Sequence, residues 1–182
     1  MTPYLAGVVF CGLLGLLNLV LTYGVIRRLR QHDTALAERP GGGPDADVMA
    51  PAGSPLGTFT ATTVDGSVVS AGELAGPTAV GFFSTGCAPC VERLPEFLRY
   101  AATFPGGRDN VLVVVVTERA DEARDTFVAQ ATAVANVVVE PHDGPVGTAL
   151  RVRGYPALAV VDDGSVVSSG SELDALPALS QA

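Results

Sequence analysis

Cys87 and Cys90 stand at a junction: the apolar run Thr78–Ser84 ends just before them, and an amphipathic segment begins at Pro89. No other feature limits the fold as sharply. The run is short and free of charge, which predicts a buried strand. From Pro89 to Tyr100 the spacing of Val91, Leu94, Phe97 and Leu98 predicts a helix with one apolar face. The two cysteines therefore open a helix directly after a strand.

The rest of the chain repeats that alternation. Leu56–Val64 reads as extended, and Asp65-Gly66 marks a turn into Ser67–Val69. Val111–Thr117 is almost purely β-branched, too apolar to be half-exposed, and belongs at the centre of a sheet. Asp121–Ala131 predicts a helix whose acidic first turn suits its dipole. Ala133–Val139 is a further Val-rich strand, and Gly144–Val152 holds a short helix. Ala157–Val161 and Val166–Ser169 flank an Asp163-Gly164 turn, and Glu172–Leu179 predicts a closing helix. Strands alternating with helices give an α/β fold, and the last hairpin makes its sheet mixed.

The chemistry of the Cys-Ala-Pro-Cys motif follows from its place. A helix N-terminus carries partial positive charge and unpaired N–H groups, which favour a thiolate on Cys87. A lowered pKa makes that sulfur a nucleophile and a good leaving group near neutral pH. Cys90 lies one turn further on, within reach of a mixed disulfide at Cys87. Pro89 suits the first turn, where its missing N–H costs nothing. The expected site is thus a redox-active Cys87–Cys90 disulfide with no other cofactor. Cys87 is expected to attack and Cys90 to resolve.

A zinc site would need about four ligands, and the chain offers only His32, His142 and no second paired-cysteine motif. A copper site built from Cys87, Cys90 and His142 is a conceivable alternative. A purely structural bridge is disfavoured, because closing so short a loop removes little chain entropy.

Charge narrows the partners. Residues 55–182 carry seven Arg against fifteen acids, which accounts for the whole net charge of −8. With no basic stripe, nucleic acid is not expected as a partner.

Residues 1–26 contain no charged side chain. The run Tyr4–Ile26 is long enough, at about 1.5 Å per residue, to cross a hydrocarbon core of roughly 30 Å. Tyr4 and Tyr23 lie near its ends, and Arg27, Arg28 and Arg30 stop it. A cleaved signal peptide fits less well, since no basic stretch precedes the run and Arg-Arg stands where a small-residue cleavage site belongs. Residues 1–30 are therefore expected to be a transmembrane anchor with a basic flank. Cys11 falls inside it. Residues 31–55, with Pro40-Gly41-Gly42-Gly43-Pro44, read as a flexible linker. Residues 56–182 are the expected folded domain.

Phe82–Pro95, with Cys87-Ala88-Pro89-Cys90 at its centre, resembles the active-site strand, turn and helix of thioredoxin-fold proteins. Pro95 falls where thioredoxins carry a proline inside that helix. Val152-Arg153-Gly154-Tyr155-Pro156-Ala157 looks like the family's cis-proline segment. The resemblance implies a thioredoxin-like mixed sheet flanked by helices, a cis Pro156 facing the motif, and a substrate groove formed by Tyr155, Pro156, Ala88 and Pro89. With the N-terminal span, the chain looks most like the TlpA-like membrane-anchored proteins, MauD-like among them. That implies a thiol–disulfide oxidoreductase acting on a protein disulfide or dithiol, with an upstream redox partner that recycles the site.

The chain departs from that pattern in three ways. Gly81 stands where thioredoxin has a buried acid, which leaves Glu92 or water to take the proton of Cys90. Thr85-Gly86 replaces the flanking aromatics, and Tyr155 is bulkier than the usual residue before the proline. Two other activities fit the same fold. A peroxiredoxin-like peroxidase would need a proline at Val80, which is missing. A non-enzymatic metal- or thiol-binding module would use the same groove.

The side of the membrane is contested. Arg27, Arg28 and Arg30 favour a cytoplasmic domain, while the family resemblance favours the extracytoplasmic face. Long domains translocate despite flanking charge, so the extracytoplasmic face is the expectation and the cytoplasmic one stays open.

Overall fold

The computed structural model describes residues 48–74 and 76–178. The expected anchor at 1–30, Cys11, His32 and the linker as far as residue 47 lie outside the described residues. No helix among the described residues is long and apolar enough to cross a membrane.

A small antiparallel hairpin, β1 (Thr60–Thr62) and β2 (Val68–Ser70), precedes the main sheet. That sheet has five strands: β3 (Thr78–Ser84), β4 (Val111–Val116), β5 (Asn136–Glu140), β6 (Ala157–Asp162) and β7 (Ser165–Gly170), in the order β5-β4-β3-β6-β7. β3, β4 and β5 run parallel, and β6 and β7 join antiparallel. Helix α1 (Ala88–Ala101) links β3 to β4, α2 (Glu122–Ala131) links β4 to β5, and the short α3 (Pro145–Ala149) precedes β6.

β3 and β4 are buried along their whole length, as parallel strands covered on both faces must be. Their alternate residues divide the core. Val80, Phe82, Leu112, Val114 and Val116 face Val146, Ala149 and Leu150 of the α3 region, together with Phe59 and Met49. Ala79, Phe83, Val111, Val113 and Val115 face Cys90, Leu94, Phe97 and Ala101 of α1, with Phe127 and Ala131 of α2. The buried stripe of α1 is thus Cys90, Leu94, Phe97 and Ala101. Val91, expected on that stripe, is 56% exposed. Cys90 occupies the inward position four residues before Leu94, which turns Val91 outward.

Three boundaries differ from the sequence reading. First, the folded domain begins before Leu56. Met49 and Ala50, expected in the flexible linker, are buried against the sheet, and the Ala50 N–H donates to the Leu150 carbonyl (2.9 Å). One apolar triplet, Val48–Ala50, outweighs the Pro and Gly around it. Second, no closing helix forms over the described part of Glu172–Leu179; only a single 3₁₀ turn, Leu173–Ala175, is present. Pro177 forces the preceding residue out of the helical region, and Leu176 is extended there (ψ 153°) with its side chain buried. Third, β5 starts at Asn136, because Val134 and Ala135 still donate to Ala131 in the turn that ends α2.

Candidate active site

The first half of the site is positioned by the strand that precedes it. Thr85 leaves β3 with its N–H bonded to the Val116 carbonyl and its hydroxyl 3.2 Å from that of Thr117. The turn closes when the Cys87 N–H donates to the Ser84 carbonyl (3.2 Å). Cys87 then takes the N-cap of α1 with extended backbone (φ −106°, ψ 112°), and its Sγ accepts the Cys90 N–H at 3.3 Å. The sulfur does here what a Ser or Asp side chain does at most helix starts. Pro89 lies in the first turn, where no donor is missed.

Cys87 and Cys90 are joined as a disulfide, with Cα atoms 5.3 Å apart. Their exposure differs. Cys90 is wholly buried, while Cys87 is half-buried and flanked by exposed Gly86, Ala88 and Pro89. A reagent arriving from solvent meets Cys87 first. Cys87, expected to attack, is the sulfur that lies both at the helix N-terminus and open to solvent.

The second half of the site comes from the loop before β6. The Tyr155–Pro156 peptide is cis, as the resemblance implies. The Tyr155 carbonyl oxygen lies 3.4 Å from Cys87 Sγ. The loop is held from behind by the segment that had been expected to be linker: the Arg153 and Gly154 N–H groups both donate to the Val48 carbonyl, at 2.7 and 3.2 Å. A Cβ at position 154 would stand 3.3 Å from Val48 Cγ1, so the close approach favours glycine. Pro156 is buried; Tyr155 is half-buried and packs against both halves of the core.

Sequence reasoning marked Gly81 for the acid it lacks, and the structure shows what fills the place. A Cβ there would come within 2.8–2.9 Å of Phe83 and Phe97 ring atoms. The rings pack at 5.6 Å between centroids, so this pocket is aromatic and has no room for a carboxylate. Glu92 is exposed.

Three further residues border the site, and none was singled out for thiol exchange. Glu140, ending β5, is buried at 5% exposure. Its two carboxylate oxygens accept the Val146 and Gly147 N–H groups at 3.0 and 2.8 Å. Burial raises its pKa above the ordinary carboxylate value, against the opposing pull of those two hydrogen bonds. A charged residue ending a Val-rich strand was the signal. His142, weighed only as a metal ligand, instead meets the Tyr155 phenol through Nδ1 at 3.3 Å. Glu118 accepts the His142 backbone N–H (3.1 Å). Among the described residues, no group of three or more His, Cys, Asp or Glu side chains is placed to hold a metal ion. The Tyr155 phenol is held above its ordinary pKa, first by burial and then by Glu140, Asp143 and Glu118.

Comparison with known proteins places this geometry. No protein-family model matches the chain. No curated protein matches it either. Solved structures do. The thioredoxin domain of a thiol-disulfide oxidoreductase from Bacteroides vulgatus superposes with a TM-score of 0.51 at 23% identity, over 65% of this chain and 86% of that one. A Chlorobium tepidum protein described as thiol:disulfide interchange protein DsbE gives 0.52 at 22% identity, over 68% and 88%. DsbF of MTB, solved in mixed oxidized and reduced forms, gives 0.50 at 27% identity, over 59% and 80%. The fold is therefore a mixed α/β thioredoxin-like one, and the chain's structural neighbours are thiol–disulfide oxidoreductases.

Proposed function

We propose that this chain is a TlpA-like, membrane-anchored thiol–disulfide oxidoreductase that exchanges disulfides with a protein partner through Cys87 and Cys90. One observation carries the reading: the accessible sulfur of Cys87 caps a helix N-terminus and lies against the Tyr155 carbonyl of a cis-proline loop, with buried Cys90 bonded behind it. An unreactive structural bridge would not need its exposed sulfur at the mouth of such a groove.

The reaction conserves atoms and electrons. In the reduced protein the Cys87 thiolate attacks one sulfur of a partner disulfide, forming a mixed disulfide and releasing the other sulfur as a thiolate. Cys90, once deprotonated, attacks the Cys87 sulfur and releases the partner's second thiolate. The partner gains two electrons, and the Cys87–Cys90 disulfide forms. Run backwards, the same steps oxidise a partner dithiol. The relative reduction potentials decide the direction, and a second redox protein resets the site.

The anchor belongs to the same reading and is supported by the uncharged run Tyr4–Ile26 followed by Arg27, Arg28 and Arg30. We place the catalytic domain on the extracytoplasmic face, by likeness to TlpA-like and MauD-like proteins. Among the alternatives, a peroxidase would turn over peroxide, and a metal-binding module would take up metal stoichiometrically when reduced.

The deciding experiment uses the full-length chain in cells. Cys90→Ser should accumulate a partner joined to Cys87, seen as a heavier band on a non-reducing gel and released by dithiothreitol. Cys87→Ser/Cys90→Ser should give none. Absence of any adduct, together with no turnover of protein disulfides by the wild type, would end this reading. Protease access to a C-terminal tag in intact cells tests the membrane side independently.

A further inference from the structure

His142 stands in the loop between β5 and α3, exposed, and outside the paired-cysteine motif and the cis-proline segment. Two contacts fix it. Its backbone N–H donates to Glu118 Oε1, which ties the loop to the end of β4. Its ring meets Tyr155, with centroids 5.4 Å apart, planes at 52° and Nδ1 3.3 Å from the phenol oxygen. His142 also lines a polar cleft of about 350 Å³, together with Thr85, Gly86, Thr117, Glu118 and Asp121. Gly86 immediately precedes the attacking cysteine. Through Tyr155, His142 therefore connects this cleft to the loop whose carbonyl touches Cys87.

We propose that His142 is a positioning residue that holds Tyr155 as a wall of the substrate groove and so selects which disulfides reach Cys87. The proposal rests on the thiol-exchange reading given above.

The reasoning is geometric. The Tyr155 backbone is fixed by its neighbours' bonds to Val48 and its ring is half-buried against both halves of the core, which leaves the phenol hydroxyl as the end of the wall that needs a partner. His142 is the hydrogen-bond partner found there. A phenol hydroxyl both donates and accepts, so the contact forms with neutral imidazole and with imidazolium alike. A small aromatic disulfide presents little beyond its sulfurs to Cys87 and scarcely touches the wall. A protein disulfide brings flanking chain that must lie along Tyr155. Loss of the wall should therefore act on protein disulfides and spare small ones.

The test follows the single-turnover oxidation of the pre-reduced full-length protein by an excess of each of two probes, insulin as a protein disulfide and 5,5′-dithiobis(2-nitrobenzoic acid) as a small one. His142→Phe keeps a ring and removes the hydrogen bond. It should lower the second-order rate constant for insulin about three- to tenfold, as loss of one such bond implies, mainly through a higher half-saturating insulin concentration. The rate constant for the small probe should stay within about twofold of wild type. Tyr155→Phe should match the insulin loss, and the double variant should be no worse than either single one. His142→Asn, which keeps an acceptor near the Nδ1 position, should recover most of it. Equal losses on both probes, no loss on insulin, or multiplying losses in the double variant would each overturn the proposal. A wild type inert on both probes would instead remove the oxidoreductase reading beneath it.

Discussion

Cys87 Sγ touches the carbonyl oxygen of Tyr155 at 3.4 Å, across 68 residues of chain. Strand β3 delivers the sulfur, and the loop before β6 delivers the oxygen. β3 and β6 are neighbours in the sheet, pairing Phe82 with Ala157 next to the cis proline. The exposed sulfur and the cis-proline loop are thus held by one ladder of backbone hydrogen bonds.

Reduced Cys87 should carry its thiolate at unusually low pH. The helix N-terminus and the Cys90 N–H stabilise the anion, so it should form more readily than on a free thiol. The rate of iodoacetamide labelling against pH, with the labelled site read by mass spectrometry, measures it. Fully buried Cys90 should label slowly. An ordinary thiol midpoint, or faster labelling of Cys90, would contradict the assignment of roles.

Gly81 should tolerate no side chain. Gly81→Ala sets a Cβ against Phe83 and Phe97, and such overpacking costs about 1–3 kcal/mol. Adding Phe97→Leu should return part of that loss, because the two positions share one volume. Urea unfolding reads both. If Gly81→Asp, the thioredoxin-like change, proved as stable as wild type, the aromatic filling of this place would be wrong.

Glu140 should make the fold less stable as pH rises. Burial lifts its folded pKa above the ordinary 4.5. From that value upward to the folded pKa, the native protein holds a proton that the unfolded chain has released, so stability falls through that window. Glu140→Gln should flatten the slope there. Glu140→Ala leaves the Val146 and Gly147 amides without their acceptor and should cost about 1–3 kcal/mol. Asp65 has the opposite sign. The Thr63 hydroxyl and then Arg108 hold its pKa well below 3.8, so its contribution is present above that value and disappears as pH falls further. Denaturant titrations across pH separate the two.

Met49 should behave as a core residue. It is 3% exposed, and Met49→Ala should cost roughly 2–5 kcal/mol. Val68→Ala, at a position 61% exposed, should change stability by about 0.5 kcal/mol or less. Equal effects at the two positions in urea unfolding would place Met49 outside the fold.

The parts of this molecule that could be read from sequence are those where one physical pattern dominates. Val111–Val116 admits little but a buried strand, and a paired-cysteine motif following Thr78–Ser84 admits little but a helix start. The helix expected over Asp121–Ala131 was legible from its acidic first turn, and Asp121 stands at its N-cap, accepting the Arg124 N–H at 3.0 Å. The misread places are those where two patterns compete. Val48–Ala50 is an apolar triplet set among Pro and Gly, and its burial depends on distant Leu150. Glu172–Leu176 looks helical until Pro177 acts backwards on Leu176. His142 and Glu140 were missed as parts of the site because each meets its partner by tertiary placement. Nothing in the local spacing pairs His142 with a phenol thirteen residues on.

The Val48 strap limits how a partner can be read. In a bare loop, successive amides beside the cis proline would be open rungs for an incoming strand to pair with. Here the rungs at Arg153 and Gly154 are already closed by the Val48 carbonyl, so pairing can begin only at Tyr155. Under the proposed function, recognition should be compressed to the few residues around a partner's cysteine. A peptide trimmed to those residues should bind the Cys87 site as well as one carrying a long extended flank, a comparison that fluorescence anisotropy makes directly.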